Sequence, residues 1–355
     1  MTAAARFASW FDSWVQSGPF TQGDAARFRI IFSVGALLTL FDFSWWGGFP
    51  TSMYFPPPGP FQLLPGLPPA WVGAAIEIAV ALSFACLAFG YRTRLVSWSA
   101  TLLMLLGFGL TYSFGKIDHP ILFVIAPAVL SFTGWGGALS VDSARGLRSS
   151  GFQHWPLRLF AVLIGLGFFT AGFAKLRAGW LSPDTQASRR EFLTAYVEGN
   201  RGGILPSFVT VDAPVIWEIV DWLTVALELG LVLCALSWTA FRVGIALTTL
   251  FHLSVMIMLT ISFGFNVLAY GAFVQWSRVP LSAPAWTVRF VTRWWPALIP
   301  IIGLGLALLS HTIPHTAHQS GYFIFVGAGV GVGYLIYLVV RAASRRSNRH
   351  AVSPP

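Results

Sequence analysis

About ten stretches of this chain are apolar over lengths near the ~20 residues that cross a bilayer as helix, and this pattern constrains the fold more than any other feature. They fall near 28–46, 71–89, 95–114, 121–140, 158–175, 216–236, 242–262, 264–277, 296–310 and 321–340. The composition agrees: 55% of the 355 residues are hydrophobic and 10% are charged, against roughly 25% charged in an average soluble domain. A water-facing fold could not clothe its exterior with so few polar side chains. An ordinary soluble enzyme, a disordered chain and a disulfide-knotted secreted domain are all excluded. The expected class is all-α, a polytopic integral membrane bundle with lipid bilayer around most of its surface.

The formal charge of +9 would raise the question of nucleic acid in a soluble protein. Here the cations sit in short gaps between apolar runs, which is how membrane topology is written, and no nucleic-acid partner is expected. Arg27, Arg29, Arg92, Arg94, Arg145, Arg148, Arg158, Arg242, Arg278, Arg289 and Arg293 occupy alternate gaps, and Arg341, Arg345, Arg346 and Arg349 follow the last run. The intervening gaps 47–70 and 311–320 have no Lys or Arg, and 115–120 has only Lys116. Ten spans then place both termini in the cytoplasm. Residues 176–215 form one long basic outer gap, which translocates largely regardless of charge. With the Pro-rich 47–70 segment it is a candidate cover over an outward-facing cavity. Residues 1–26 lack the apolar core of a cleavable leader. Their Phe7, Trp10, Phe11, Trp14 and Val15 share a helix face, as expected of an amphipathic interfacial segment. The residues 342–355 read as a basic cytoplasmic tail. Cys86 and Cys234 lie inside apolar runs without the spacing of a redox pair.

Ionisable side chains at membrane depth are costly there, which makes each a functional candidate. Lys175 stands near the outer end of the fifth run, with Trp180 just beyond. A lysine there either snorkels to the interface or sits in an apolar pocket whose desolvation frees the amine to act as a base. His119, in Lys116-Ile117-Asp118-His119-Pro120, falls on the same expected side, so the two are candidate acid–base partners. His252 is deeper in its run, where a hydrogen-bonded core histidine is the commoner reading. Asp42, Glu77, Asp221 and Glu228 could pair with arginines inside the bundle, and a structural ion-pair or hydrogen-bonding role is expected of each; Asp221 and Glu228, seven apart, share a helix face. His311, His315 and His318 could face one way on a helix, but Pro314 argues against one, and no metal site is expected. Phosphate-loop, serine-hydrolase, zinc-protease and dinucleotide motifs are missing from the sequence.

Ala171-Gly172-Phe173-Ala174-Lys175-Leu176 followed by Trp180 resembles the AGxxKL…W signature of the vitamin K-dependent γ-glutamyl carboxylases and their bacterial relatives, the HTTM (horizontally transferred transmembrane) proteins. Arg27-Phe28-Arg29-Ile30-Ile31-Phe32 with Asp42 is similar to the family's first span. Gly90-Tyr91-Arg92-Thr93-Arg94-Leu95 resembles its second-to-third turn, and Leu139-Ser140-Val141-Asp142 the turn after span four. Phe251-His252 with Ser262-Phe263-Gly264-Phe265 looks like its span-seven histidine and the following break. The likeness runs in order over roughly 24–280. It implies a transmembrane domain over 27–280, additional helices over 281–341, and no counterpart of the carboxylase's large lumenal domain.

By that resemblance Lys175 is the base that deprotonates a vitamin K hydroquinone or related menaquinol, His119 assists with protons, and His252 supports the site. O2 and CO2 are the implied co-substrates, and the substrate is an unidentified peptide or small molecule. Carboxylation is the family's outcome, but Ala174 stands where the animal enzyme has a second lysine, so quinol epoxidation without carboxylation, or modification of a small substrate, is the alternative outcome. The alternative, from a different class, is a non-enzymatic maturation or export factor, or a quinone- or lipid-binding protein, that keeps the fold. The implied setting is the bacterial inner membrane, with the site facing the extracytoplasmic side.

Overall fold

A computed structural model describes residues 2–39, 41–114, 120–147, 151–198, 211–279, 285–310 and 321–351. Among these the chain is all-helical, with thirteen α-helices, short 3₁₀ turns and one isolated bridge between Phe55 and Phe114. Five helices are long and apolar enough to cross a membrane: α3 (Ala70–Phe89), α4 (Thr93–Thr111), α7 (Trp155–Arg177), α10 (Trp238–Leu259) and the stretch Gly321–Ser344 of α13 (Gly321–Ala351). The others are α1 (Ala3–Gln16), α2 (Gln22–Leu38), α5 (Ile121–Leu130), α6 (Val141–Ala144), α8 (Ala187–Val197), α9 (Pro214–Cys234), α11 (Gly264–Tyr270) and α12 (Ala285–Ser310).

Three of the apolar runs are not full-length helices, and in the first of them, 28–46, α2 ends at Leu38 and the chain turns. Run 121–140 is α5, ten residues or ~15 Å long, followed by a 3₁₀ turn and the left-handed Gly134. Run 264–277 is the seven-residue α11 followed by 3₁₀ turns. Both stretches are apolar because protein covers them: Phe123, Val124, Ala126, Leu268, Ala269 and Phe273 are all buried. Hydropathy reads burial in protein and burial in lipid alike.

The helices fall into two compact units, 1–160 with 268–319, and 161–267 with 320–355. In the first, α2, α12 and α4 pack on α3, and α5 packs on α4. Phe32 is central, its ring 4.9 Å from Phe123, 5.6 Å from Phe28 and 6.0 Å from Phe84. A capping box starts α2: Thr21 and Asp24 exchange side-chain and backbone bonds, and Asp24 also accepts from the Ser277 N–H. Glu77, buried on α3, accepts from the N–H groups of Phe43 and Ser44 where the chain turns after α2. The 47–70 segment winds through 3₁₀ turns and lies on α4, with Phe61 against Gly109 and the Phe55 N–H donating to the Ser113 carbonyl. Helix α1 buries none of its residues; Phe7, Trp10 and Phe11 stay exposed. It is tied to the first turn of α7, where the Arg158 guanidinium bonds the Trp14 carbonyl and covers its ring.

Three of the family-like segments converge in this unit around fully buried Arg29. Its guanidinium donates to the carbonyls of Trp135, Ala138 and Leu139. Gly90, left-handed at φ +67°, ends α3 so close that a Cβ there would meet Ser140 at 2.4 Å and Arg29 at 2.8 Å. Asp142 then accepts from the N–H groups of Arg92 and Thr93 and from the Thr93 hydroxyl, capping α4 from fifty residues away. A fixed left-handed turn, a buried cation and a remote cap explain why those sequence segments carry Gly, Arg and Asp.

In the second unit α10 packs on α13 and α9, and α8 on α9 and α10. Gly327 and Gly331 of α13, four residues apart, have no room for a Cβ: it would fall 2.2 Å from Val267 and 2.7 Å from Thr249. Small residues at that spacing let two helix backbones approach closely in lipid. Gly165 and Gly172 do the same for α7 against α9. Thr260, left-handed at φ +56°, ends α10, and 261–263 are non-helical before α11 starts at Gly264, within the break expected at Ser262–Phe265.

Candidate functional site

The site is built on the last turns of α7. Seven residues span about two turns, or ~10 Å, and return to the same helix face. Phe168, Gly172 and Lys175 are thus one row along α7. Helix α7 stops just past Lys175, where Gly179 turns left-handed and the Trp180 N–H bonds back to the Lys175 carbonyl. This turn carries the Trp180 ring to within 5.3 Å of the Lys175 ammonium, in range of a cation–π contact.

The amine is not isolated among apolar groups. Lys175 Nζ lies 2.7 Å from Glu228 Oε1 and 2.8 Å from Oε2, so one carboxylate of α9 grips it with both oxygens. The Glu228 side chain is 5% exposed and that of Lys175 24%, so the carboxylate lies behind and the amine in front. The surroundings of the amine are thus not wholly apolar, because a carboxylate closes one side of it. Gly172, one turn earlier, sets the distance: a Cβ there would come 2.8 Å from the Glu228 Cβ and 3.1 Å from the Leu229 nitrogen. The Gly and the Lys of the Ala171–Leu176 motif thus have linked reasons. One lets α9 approach, and the other meets the carboxylate that approach delivers.

Asp221, also on the buried face of α9, has a different task. It is fully buried and accepts from the N–H groups of Ala187 and Ser188, both at 2.8 Å. Gln186, at the N-cap of α8, is left-handed and makes no side-chain cap bond, so Asp221 caps α8 from another helix. Asp221 thus takes a structural hydrogen-bonding role, and Glu228 pairs with a lysine, not an arginine.

His252 is buried on α10, its ring stacked on Phe263 at 4.3 Å and 5.8 Å from Phe168. Through Phe168 it touches the row that carries Lys175 two turns later. His119 lies outside the described residues, as do His311, His315 and His318. Among the described residues no group of three His, Cys, Asp or Glu side chains is placed to hold a metal.

Glu228 is the site residue that sequence reasoning assigned to structure alone. Its signal was a carboxylate in an apolar run without a basic neighbour on its own helix; nothing in the sequence joins it to a lysine fifty-three residues earlier.

These features define an integral membrane protein, all-helical, with a buried carboxylate and a half-buried lysine paired at the end of one long apolar helix. A family model for the HTTM domain matches residues 27–275, and the chain belongs to that family. No curated protein and no solved structure matches the chain.

Proposed function

We propose that this HTTM-domain protein is a membrane enzyme acting on a lipid hydroquinone with O2, at a site facing the extracytoplasmic side of a bacterial inner membrane. The observation that carries the reading is the Lys175–Glu228 pair: a proton-carrying amine, backed by a carboxylate, open on one side beside Trp180. The residues fit a weakly acidic, flat ring with a greasy tail. Leu166, Phe169, Phe173 and Leu176 expose apolar surface along the same part of α7, a surface an isoprenoid chain can follow from lipid to the amine. When bound, a menaquinol-type hydroquinone supplies a phenolic hydroxyl and, with O2, the oxidative driving force for epoxidation; addition of CO2 to a substrate carbon is the further step made by the carboxylases it resembles.

The chain's own part is proton handling and shielding. Lys175 Nζ faces the hydroxyl and mediates removal of its proton. Trp180 covers one side of the ammonium and limits water there, so charge interactions at the amine are stronger than in solvent. Phe168 and Phe263 hold His252 as a buried supporting group two turns along α7. The Arg-rich alternate gaps support the orientation.

The test uses membranes containing the full chain, reduced vitamin K and O2. Wild type is expected to form quinone epoxide, and Lys175→Ala at equal expression to lose about 10³-fold of the rate, within the range for a general acid–base group. A wild type that forms no epoxide while binding the quinone overturns the enzymatic reading in favour of a binding, maturation or export role.

A further inference from the structure

A lysine gripped by a carboxylate is an ammonium, and an ammonium has three N–H donors and no lone pair to receive a proton. Two of those donors go to Oε1 and Oε2 of Glu228, which leaves the third for the exposed side. In this arrangement Lys175 alone cannot be the base. Glu228 can hold a proton but is 5% exposed and stands behind the amine, so a substrate hydroxyl reaches it only through Nζ.

We infer that Glu228 is the proton reservoir and positioning residue of the site, with Lys175 as the carrier between it and the substrate hydroxyl; the inference rests on the quinol-dependent reading above. The proton count closes without a neutral lysine in the resting state. An N–H bond of the ammonium breaks and its proton forms an O–H bond on Glu228. As it does, the nitrogen lone pair takes the hydroxyl proton, and the substrate oxygen keeps the electron pair of its broken O–H bond. Lys175 ends as it began, an ammonium, now beside a new anion, and Glu228 ends neutral. The site passes from one ion pair to another, with no change in net charge. In an apolar surround that matters, because an uncompensated charge is far more costly there than a displaced one. Gly172 enters the same account, since the close approach it permits holds donor and acceptor at 2.7 Å rather than a helix diameter apart.

The experiment compares wild type, Glu228→Gln and Glu228→Asp as full-length proteins in lipid nanodiscs, with two readouts. The first needs no quinol: acylation of Lys175 by a membrane-permeant amine-reactive ester, followed by peptide mass spectrometry. An ammonium does not acylate, so Glu228→Gln is expected to react about 10-fold faster than wild type, and Glu228→Asp within about 3-fold of it. Equal rates in wild type and Glu228→Gln overturn the grip on which the inference depends. The second is epoxidation of reduced vitamin K: Glu228→Gln is expected to lower kcat about 100-fold or more with KM within about 3-fold, and Glu228→Asp to recover to within about 10-fold. An active wild type with full kcat in Glu228→Gln overturns the inference and leaves the proposed function standing. A wild type without epoxide removes the proposed function and this proton role together. If Glu228→Gln does not fold, Glu228→Asp decides: its shorter side chain is expected to cut kcat by a few-fold, and an unchanged kcat with faster acylation counts against the reservoir.

Discussion

The Arg29 knot of the first unit and the Lys175–Glu228 pair of the second are both buried charge, met in opposite ways. Arg29 gives its protons to three backbone carbonyls, and its neighbour Asp142 takes two backbone N–H groups and one hydroxyl. Those partners are fixed dipoles of turns and helix ends, and none of the backbone groups changes its charge near neutral pH. Lys175 and Glu228 face each other as two side chains that each hold or lose a proton. The second helix of that pair repeats the lesson within itself, because Asp221 is bound to backbone and Glu228 to an amine. Buried charge answered by backbone fixes shape; buried charge answered by another titratable group is free to do chemistry.

The comparison is broken or sharpened by four variants beyond those at Lys175 and Glu228. Arg29→Ala leaves three carbonyls without their charged donor and should cost about 3 kcal/mol. A drop in the detergent thermal midpoint, with Lys175 acylation unchanged, is the expected result; unchanged stability would erase the distinction. Gly172→Val forces a side chain into the 2.8 Å gap to Glu228 and should cost about 2 kcal/mol by overpacking. Because it pushes the pair apart, it should also raise Lys175 acylation, which Arg29→Ala does not. Asp221→Ala removes the cap of α8 and should cost about 1–2 kcal/mol, read by faster amide hydrogen exchange over 187–197 with acylation at the wild-type rate. Smallest is Asp142→Asn, which keeps one acceptor oxygen for the α4 end and should cost about 1 kcal/mol or less in thermal stability.

Much of the fold was legible as apolar length. Helices α3, α4, α7, α10 and α13 each lie on one of the runs, and α1 carries its aromatic row with Phe7, Trp10, Phe11 and Trp14 in mutual ring contact. The run that became α11 was already short in the sequence, but the run that became α5 was not legible as a short helix, because Phe123 is equally apolar against protein or lipid. At the site, the sequence marks Lys175 by its charge at the end of an apolar helix and by its motif. It does not mark which acid meets it. Five acidic residues, Asp42, Glu77, Glu218, Asp221 and Glu228, lay within apolar runs, and only the packing of Gly165 and Gly172 on α9 selects Glu228. The expected meeting of Lys175 with His119 falls on a residue outside those described.

The remote cap on α4 carries a consequence for biosynthesis. When the ribosome has finished the α3–α4 hairpin at Thr111, the carboxylate that will quiet the Thr93 amide is still thirty-one residues from being made. The hairpin must therefore enter the bilayer with that end open to water or headgroups, and it is sealed only when the chain returns from α5 and lays Asp142 across it. Truncated nascent chains that stop short of residue 142 would hold the same two helices unlatched, which makes that carboxylate a timing mark for when the first unit closes.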